Sequence, residues 1–335
     1  MSALALDIGT YSIKAISGKP GKKVKVERVA EMPNTTGIAV PTDDSAQDKL
    51  ASLIDTFIHD NDLPKNDVRL SLPESVISTK VIEIPSLSDA ELASAIGWQA
   101  EQHIPIPPEE LSLEYEVLYR PPKGDKSPMR VLLVGARKTV VERYVAMFHD
   151  LGIEPTMVET QALAILRALQ FERSDPNTLV INLGASAMDM IMVYVGELQF
   201  VISHMNAGQL LSRSLEQGVG LDSAQAEQYK RSYGLEEAHF QGKVKEALKP
   251  GADLLISEMK KAVQFFVNKR PKETVQRVVL CGGSAALPGF VQHITGQLGT
   301  EVLVAAPFTG TEGVVPETIN HPSMAVCMGL LMRDH

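Results

Sequence analysis

The sequence predicts an α/β protein of two lobes, each built on the same β-β-β-α unit, with a small α/β subdomain inserted in the first. Three observations lead there. At 335 residues the chain exceeds what one hydrophobic core ordinarily organises, so two core-forming units are expected. The N-terminal stretch "LALDIGTYSIKAIS" returns after the midpoint as "LVINLGASAMDMIMV", with Asn182 in the place of Asp7, Gly184 in that of Gly9 and Ala185 in that of Thr10. Between the copies, residues 66–155 carry strands and helices of their own.

The elements follow in order. Strands at 3–8 and 11–17 flank a tight turn, and the Gly/Pro turn "SGKPGKK" leads to a third strand, "VKVERVAEM". Over 46–58, Leu50, Leu53, Ile54, Phe57 and Ile58 recur at helical spacing and define one buried face. The insertion opens with "VRLSLPESVISTKVIEIP", two strands around a Pro-Glu-Ser turn, and continues as a helix whose Ser88 and Glu91 form a capping box. Strand "LSLEYEVLY", loop "RPPKGDKSP", strand "MRVLLVGA" and a helix over 138–150 complete it. Strand "EPTMVE" and helix "TQALAILRAL" rejoin the main body. The division is therefore 1–65 for the first-lobe core, 66–155 for the insertion, and 156–335 for the end of the first lobe and the second lobe. In the latter, a hairpin at "YVGELQF" precedes helices near 207–218, 222–233, 236–248 and 250–270, strand "RVVLC", the turn Gly282-Gly283-Ser284, helix "PGFVQHITGQL" and a closing apolar helix "PSMAVCMGLLM".

Composition bounds the function. A net charge of −9 argues against nucleic acid or anionic lipid as a non-specific partner, while leaving room for a local basic patch. Cys281 and Cys327 are too few for a disulfide framework or a zinc knuckle and read as buried thiols in a reducing compartment. The start lacks the basic region of a signal peptide, and no apolar run approaches the ~20 residues that span a bilayer, so a cytoplasmic protein is expected. The eight histidines form no ligand spacing, and a P-loop is absent. The methionines read as core fillers, and Trp98 as a packing residue, with the anchoring of a partner as the alternative.

The strand-end turn carries the functional reading. Gly9, Thr10, Tyr11 and Ser12 allow successive backbone N–H groups to face one small space, which suits an anion. An acid beside it, Asp7, would repel phosphate directly and so is expected to hold the hydration shell of Mg²⁺, with Lys14 reaching back as a point charge. A second such turn at Asn182, Gly184, Ala185 and Ser186 places the ligand in the cleft between lobes.

The D-x-G-[ST]-x-[ST] start, the second glycine hairpin, Glu159-Thr160 opening a connecting helix, and "VVLCGGS" before the end resemble the actin-like nucleotide-binding superfamily. The insertion is similar to that of the FtsA/PilM branch, and "LEQGVGLDSAQAEQYKRSYG" resembles the PilM family of type IV pilus assembly proteins. The resemblance covers essentially the whole chain. It implies an actin-like fold of duplicated ribonuclease H-like units, ATP with Mg²⁺ as ligand, and a cytoplasmic adaptor that receives the N-terminal peptide of the inner-membrane protein PilN. Membrane contact would then be indirect, through that partner, and other pilus components and self-association stay open. The alternative is an active ATPase, a cytomotive filament former or an FtsA-like division protein.

By the same resemblance, Asp7 and Asn182 organise magnesium through water; Gly9, Thr10, Ser12 and Lys14, with Gly184, Ala185 and Ser186, hold phosphates. Glu227 and Lys230 contact the nucleoside, though they also make an ordinary i, i+3 pair. Gly208 and Gly282-Gly283-Ser284 let backbone approach it. Glu159 is the candidate catalytic residue that orients water, or else a carboxylate at a helix N-terminus. Asn182 replaces an aspartate of hydrolysing relatives, so slow or negligible hydrolysis is expected.

Overall fold

The computed structural model describes residues 2–122, 124–236 and 240–333. Its first sheet holds β1 (Ala3–Ile8), β2 (Ser12–Lys19), β3 (Lys25–Pro33), β4 (Val68–Leu72) and, after the insertion, β8 (Pro155–Thr160), in the order β3-β2-β1-β4-β8. The insertion supplies β5 (Ile77–Ile84), β6 (Leu111–Tyr119) and β7 (Met129–Arg137) as a separate sheet, β5-β7-β6. The third sheet repeats the first: β9 (Thr178–Leu183), β10 (Ala187–Tyr194), β11 (Glu197–Met205), β12 (Arg277–Cys281) and β13 (Glu301–Val304), in the order β11-β10-β9-β12-β13. In both lobes the first three strands form antiparallel hairpins, and the remaining two join in parallel, which requires crossover connections. Central strands β1 and β9 are buried along their whole length, as strands covered on both faces must be.

Helix α1 (Asp44–Asp60) starts where Asp43 accepts from the Ala46 N–H and buries the stripe read from the sequence. Helix α2 (Asp89–His103) carries the expected capping box of Ser88 and Glu91 and covers the insertion sheet through Leu92, Ile96 and Ala100. Trp98, expected to pack, stands 60% exposed on that helix. Helix α3 (Lys138–Asp150) buries Tyr144, Met147 and Phe148 in the first-lobe core beside Phe57, and β4 pairs with β1 and β8. The separate sheet therefore spans 77–137, and β4 and α3, expected within 66–155, pack with the first lobe. The Pro-Glu-Ser turn joins strands of two different sheets rather than a hairpin, because the fully buried β4 is already paired on both edges.

Helices α4 (Gln161–Leu169) and α9 (Ala325–Leu331) lie together between the lobes, in a core shared by both sheets. They pack backbone to backbone: a Cβ on Gly329 would fall 1.7 Å from the Ala164 carbonyl oxygen. Arg69 on β4 is fully buried and donates to the carbonyls of Leu330 and Arg333 at the end of α9, while Asp67 neutralises it. A cation there meets the negative end of the helix dipole and fastens the last helix of the chain to the first sheet.

The second lobe adds α5 (Gly208–Val219), α6 (Ser223–Tyr233), α7 (Lys243–Lys269) and α8 (Phe290–Leu298). The helices expected at 236–248 and 250–270 are joined in α7, with Pro250 inside it: one N–H is lost, but Leu248, Ala252 and Leu255 on either side are buried in one core and hold the helix continuous. Part of the expected helix over 236–248 lies outside the described residues. Strand β13 was not expected; four residues on a sheet edge carry too little periodicity to announce themselves.

Candidate functional site

The two glycine turns face each other across the cleft between lobes. In the first, the Gly9 N–H donates to the Ser12 carbonyl at 3.0 Å; in the second, Gly184 donates to Ala187 at the same distance. Each is braced from behind at equivalent positions: the N–H of Asn34 donates to the Tyr11 carbonyl and that of Asn206 to the Ser186 carbonyl. The Gly9 carbonyl accepts from the Asn34 side chain, and those of Gly184 and Ala185 accept from the first N–H groups of α5, at Gly208 and Gln209. A trans peptide points its N–H opposite its C=O. The amides of Thr10, Ser12, Ala185, Ser186 and Ala187 are thereby aimed away from the bracing backbone, the arrangement of an anion-binding nest. At their tips Thr10 Oγ1 donates to Ser186 Oγ at 3.1 Å, and the Arg231 guanidinium lies 4.8 Å from the Tyr11 ring centre.

Charge lines the floor. Asp7 is buried and accepts from Lys14 Nζ at 3.2 Å, Ser71 Oγ at 2.9 Å and Gln161 Nε2 at 2.6 Å. Burial pulls the Lys14 ammonium down, but Asp7, Cys327 and Glu31 together outweigh it and the net shift is upward. Opposite, Asp189 accepts from Asn182 Nδ2 at 3.1 Å and Ser203 Oγ at 2.7 Å, and burial raises its carboxyl. Asp7 pairs across β1/β2 with Lys14 as Asn182 pairs across β9/β10 with Asp189. A carboxyl, that of Asp189 on the neighbouring strand, thus lies beside Asn182. Glu74, after β4, accepts from Ala162 N and Thr79 Oγ1; burial, then Asp189, push it up to about 7.

At one end of the cleft, where the nucleoside was expected, lies a pocket of Glu227, Lys230, Arg231, Gly283, Ser284 and Asn320. Gly282 keeps φ at +87°, and a Cβ there would lie 2.7 Å from Asn182 Oδ1, so only glycine makes this turn. Asn320 donates to the Gly283 carbonyl, but its Oδ1 is buried without a partner. An orphaned acceptor in a cleft wall fits a ligand that brings an amino or hydroxyl donor.

A profile of the type IV pilus assembly protein PilM family matches residues 5–335. The chain belongs to the PilM family. Its fold is similar to that of a chain in a PilM-PilN type IV pilus biogenesis complex, at TM-score 0.84 and 23% identity, over 98% of this chain and 97% of that one. It is also similar to the ethanolamine utilization protein EutJ of Carboxydothermus hydrogenoformans, at 0.61 and 14%, over 99% and 89%. MreB 5 of Spiroplasma citri, bound to AMPPNP, matches at 0.53 and 12%, over 98% and 94%. The fold is the two-lobed actin-like one.

Within this PilM-family cleft, Asp7, Gly9, Thr10, Tyr11, Ser12, Lys14, Asn182, Gly184, Ala185 and Ser186 share one wall system with Glu227, Lys230 and Gly282-Gly283-Ser284. Two expected residues stand apart. Glu159 is bound by Arg167 and Arg333 and lines a separate groove together with its neighbour Thr160, whereas Gln161, the first residue of α4, enters the cleft. Gly208 lies behind the second turn and outside the cleft lining, where a Cβ would come 2.6 Å from Ser284 Oγ. Lys230 spends its three protons on the Gly208 carbonyl, Ser212 and Glu227. Burial lowers it, with Glu227 offsetting part of that, so the pair first braces α5 against α6. Sequence reading missed Glu74, Gln161, Asp189 and Asn320; only Asp189, in register with Lys14 in the repeat, could have been found.

Proposed function

We propose that the chain is an ATP-binding adaptor of type IV pilus assembly, working at the inner face of the membrane and receiving the cytoplasmic N-terminal peptide of a PilN-type partner. The observation that carries the nucleotide reading is the pair of braced turns aiming amides into one cleft. Oxygen donors at its floor, Asp7, Asn182 and Asp189, fit Mg²⁺ held through water and phosphate, which supplies charge neutralisation when bound.

A groove of about 560 Å³ between the insertion sheet and β8 supports the peptide reading. Leu72, Ile77, Leu132, Val158 and Leu163 give it apolar walls, and Glu114, Tyr115 and Glu116 on β6 border it. β4 is enclosed and β5 lies between β7 and β11, so the edge available for strand capture is β6. Calorimetric titration with Mg-ATP, then with a peptide from the partner's cytoplasmic end, tests both. Heat in each is expected; a silent ATP titration removes the nucleotide reading, and a silent peptide titration removes the groove reading.

A second reading, hydrolysis, is favoured by Glu74, a buried carboxyl near neutral on the cleft wall beside Gln161. Phosphate release at several turnovers per second, abolished by Glu74→Gln, would replace the adaptor with an active ATPase.

A further inference from the structure

Behind the cleft, on the side of the molecule where α4 and α9 end, a half-open pocket of about 650 Å³ has a composition unlike the rest of this acidic chain. Its charged lining residues are Lys22, Lys23, Arg167 and Arg333, and no acidic residue is among the described residues that line it. Its floor is apolar, with Phe171 and Met332. Lys22 and Lys23 are exposed at the turn between β2 and β3, which is not loose: Gly21 N–H donates to the Leu331 carbonyl, and Val24 between the lysines and β3 is buried. Lys19 and Lys25 extend the basic run at either side, with Glu27 and Glu312 as the acids beside Lys25. Arg167 and Arg333 also line the groove beside β8 and share Glu159 there, so pocket and groove adjoin.

The geometry points to this face as a docking surface for an anionic bilayer, with the pocket taking a phospholipid headgroup. Cations around a concave, partly apolar site match a lipid phosphate set above its acyl chains, and a polybasic turn is drawn to an anionic leaflet. The net charge of −9 is no obstacle, since attraction at the surface is set by the charges within about a Debye length, ~8–10 Å. The position beside the groove, which rests on the adaptor reading, brings the emerging partner peptide and the membrane to the same side. The charge pattern stands without that reading.

The test uses the full chain alone, without partner or nucleotide, so its failure is separate from that of the adaptor reading. Sedimentation with vesicles of pure phosphatidylcholine is compared with vesicles containing equal parts phosphatidylglycerol. Binding is expected only to the anionic vesicles and should fade as salt is raised. Lys22→Glu/Lys23→Glu should weaken it by about 30-fold or more, at roughly fivefold for each lysine lost. Lys22→Ala/Lys23→Ala should weaken it as well, and Lys49→Glu, an exposed charge reversal on α1, should leave it unchanged. Equal binding to both vesicles, no binding to either, full binding by both double variants, or equal loss in the Lys49 control each overturns the proposal. So does binding to duplex DNA as tight as that to the anionic vesicles.

Discussion

The two lobes share a strand order, a turn and a brace, yet they differ in charge at matched positions. In the first, Asp7 faces Lys14 across the hairpin; in the second, Asn182 faces Asp189. The first pair is a buried ion pair that neutralises itself. The second leaves a carboxyl whose partners are an amide and a hydroxyl. Duplication therefore preserved the backbone scaffold for holding an anion while the side chains divided the work. The first lobe places a cation, Lys14, beside its glycine turn, and the second adds a carboxyl, Asp189, to the floor of the cleft.

The largest effect should separate the pairs. Asp7→Ala strands the buried Lys14 ammonium and is expected to cost about 3–5 kcal/mol of stability in urea unfolding. Asp189→Asn, whose partners an amide also satisfies, should stay within about 1 kcal/mol. Similar losses in both would mean that the lobes are electrostatically alike after all.

Next comes pH. Glu74 in the first lobe is raised by burial and then by Asp189 in the second, to about 7 from an ordinary 4.5. Between those values the folded chain binds the extra proton, so stability should fall as pH rises from about 4.5 to about 7, by up to about 3 kcal/mol, and level off above. Glu74→Gln should melt like the parent near pH 4.5 and higher than it at pH 8. Asp189→Asn should shrink the slope in part; an unchanged slope in both variants would show that another group carries it.

The turns themselves should behave alike. A Cβ on Gly9 meets the Ser12 carbonyl at 3.1 Å, and one on Gly184 meets that of Ala187 at 3.0 Å. Gly9→Val and Gly184→Val should each weaken Mg-ATP binding by about 10- to 100-fold in calorimetry, from overpacking of about 1–3 kcal/mol. Loss in one alone would mean that a single lobe grips the ligand. The smallest effect concerns the lobe bridge: Arg231→Ala removes the contact with Tyr11 and should lower stability of the ligand-free chain by about 0.5–1 kcal/mol.

Much of this was legible beforehand because it is local. Hydrophobic spacing gave α1, the Ser-x-x-Glu signature gave the start of α2, and two glycine turns at matching places gave the duplication and most of the cleft. Glu159 misled for a physical reason. It stands two residues before Gln161, which opens α4 and reaches the cleft, but Arg167 and Arg333 hold Glu159 in the neighbouring groove.

By itself, then, the order of residues determined what depends on neighbours within a turn or a strand: periodicity, caps, the two anion turns and their twofold repetition. Tertiary structure decided what depends on residues far apart in the chain. Asp189 reaches Glu74, Arg69 fastens α9, and Asn320 presents an unmatched oxygen only once the lobes have closed and water has been excluded. Burial and charge act through space, and one-dimensional spacing carries no record of which distant groups will meet in a medium of low polarity.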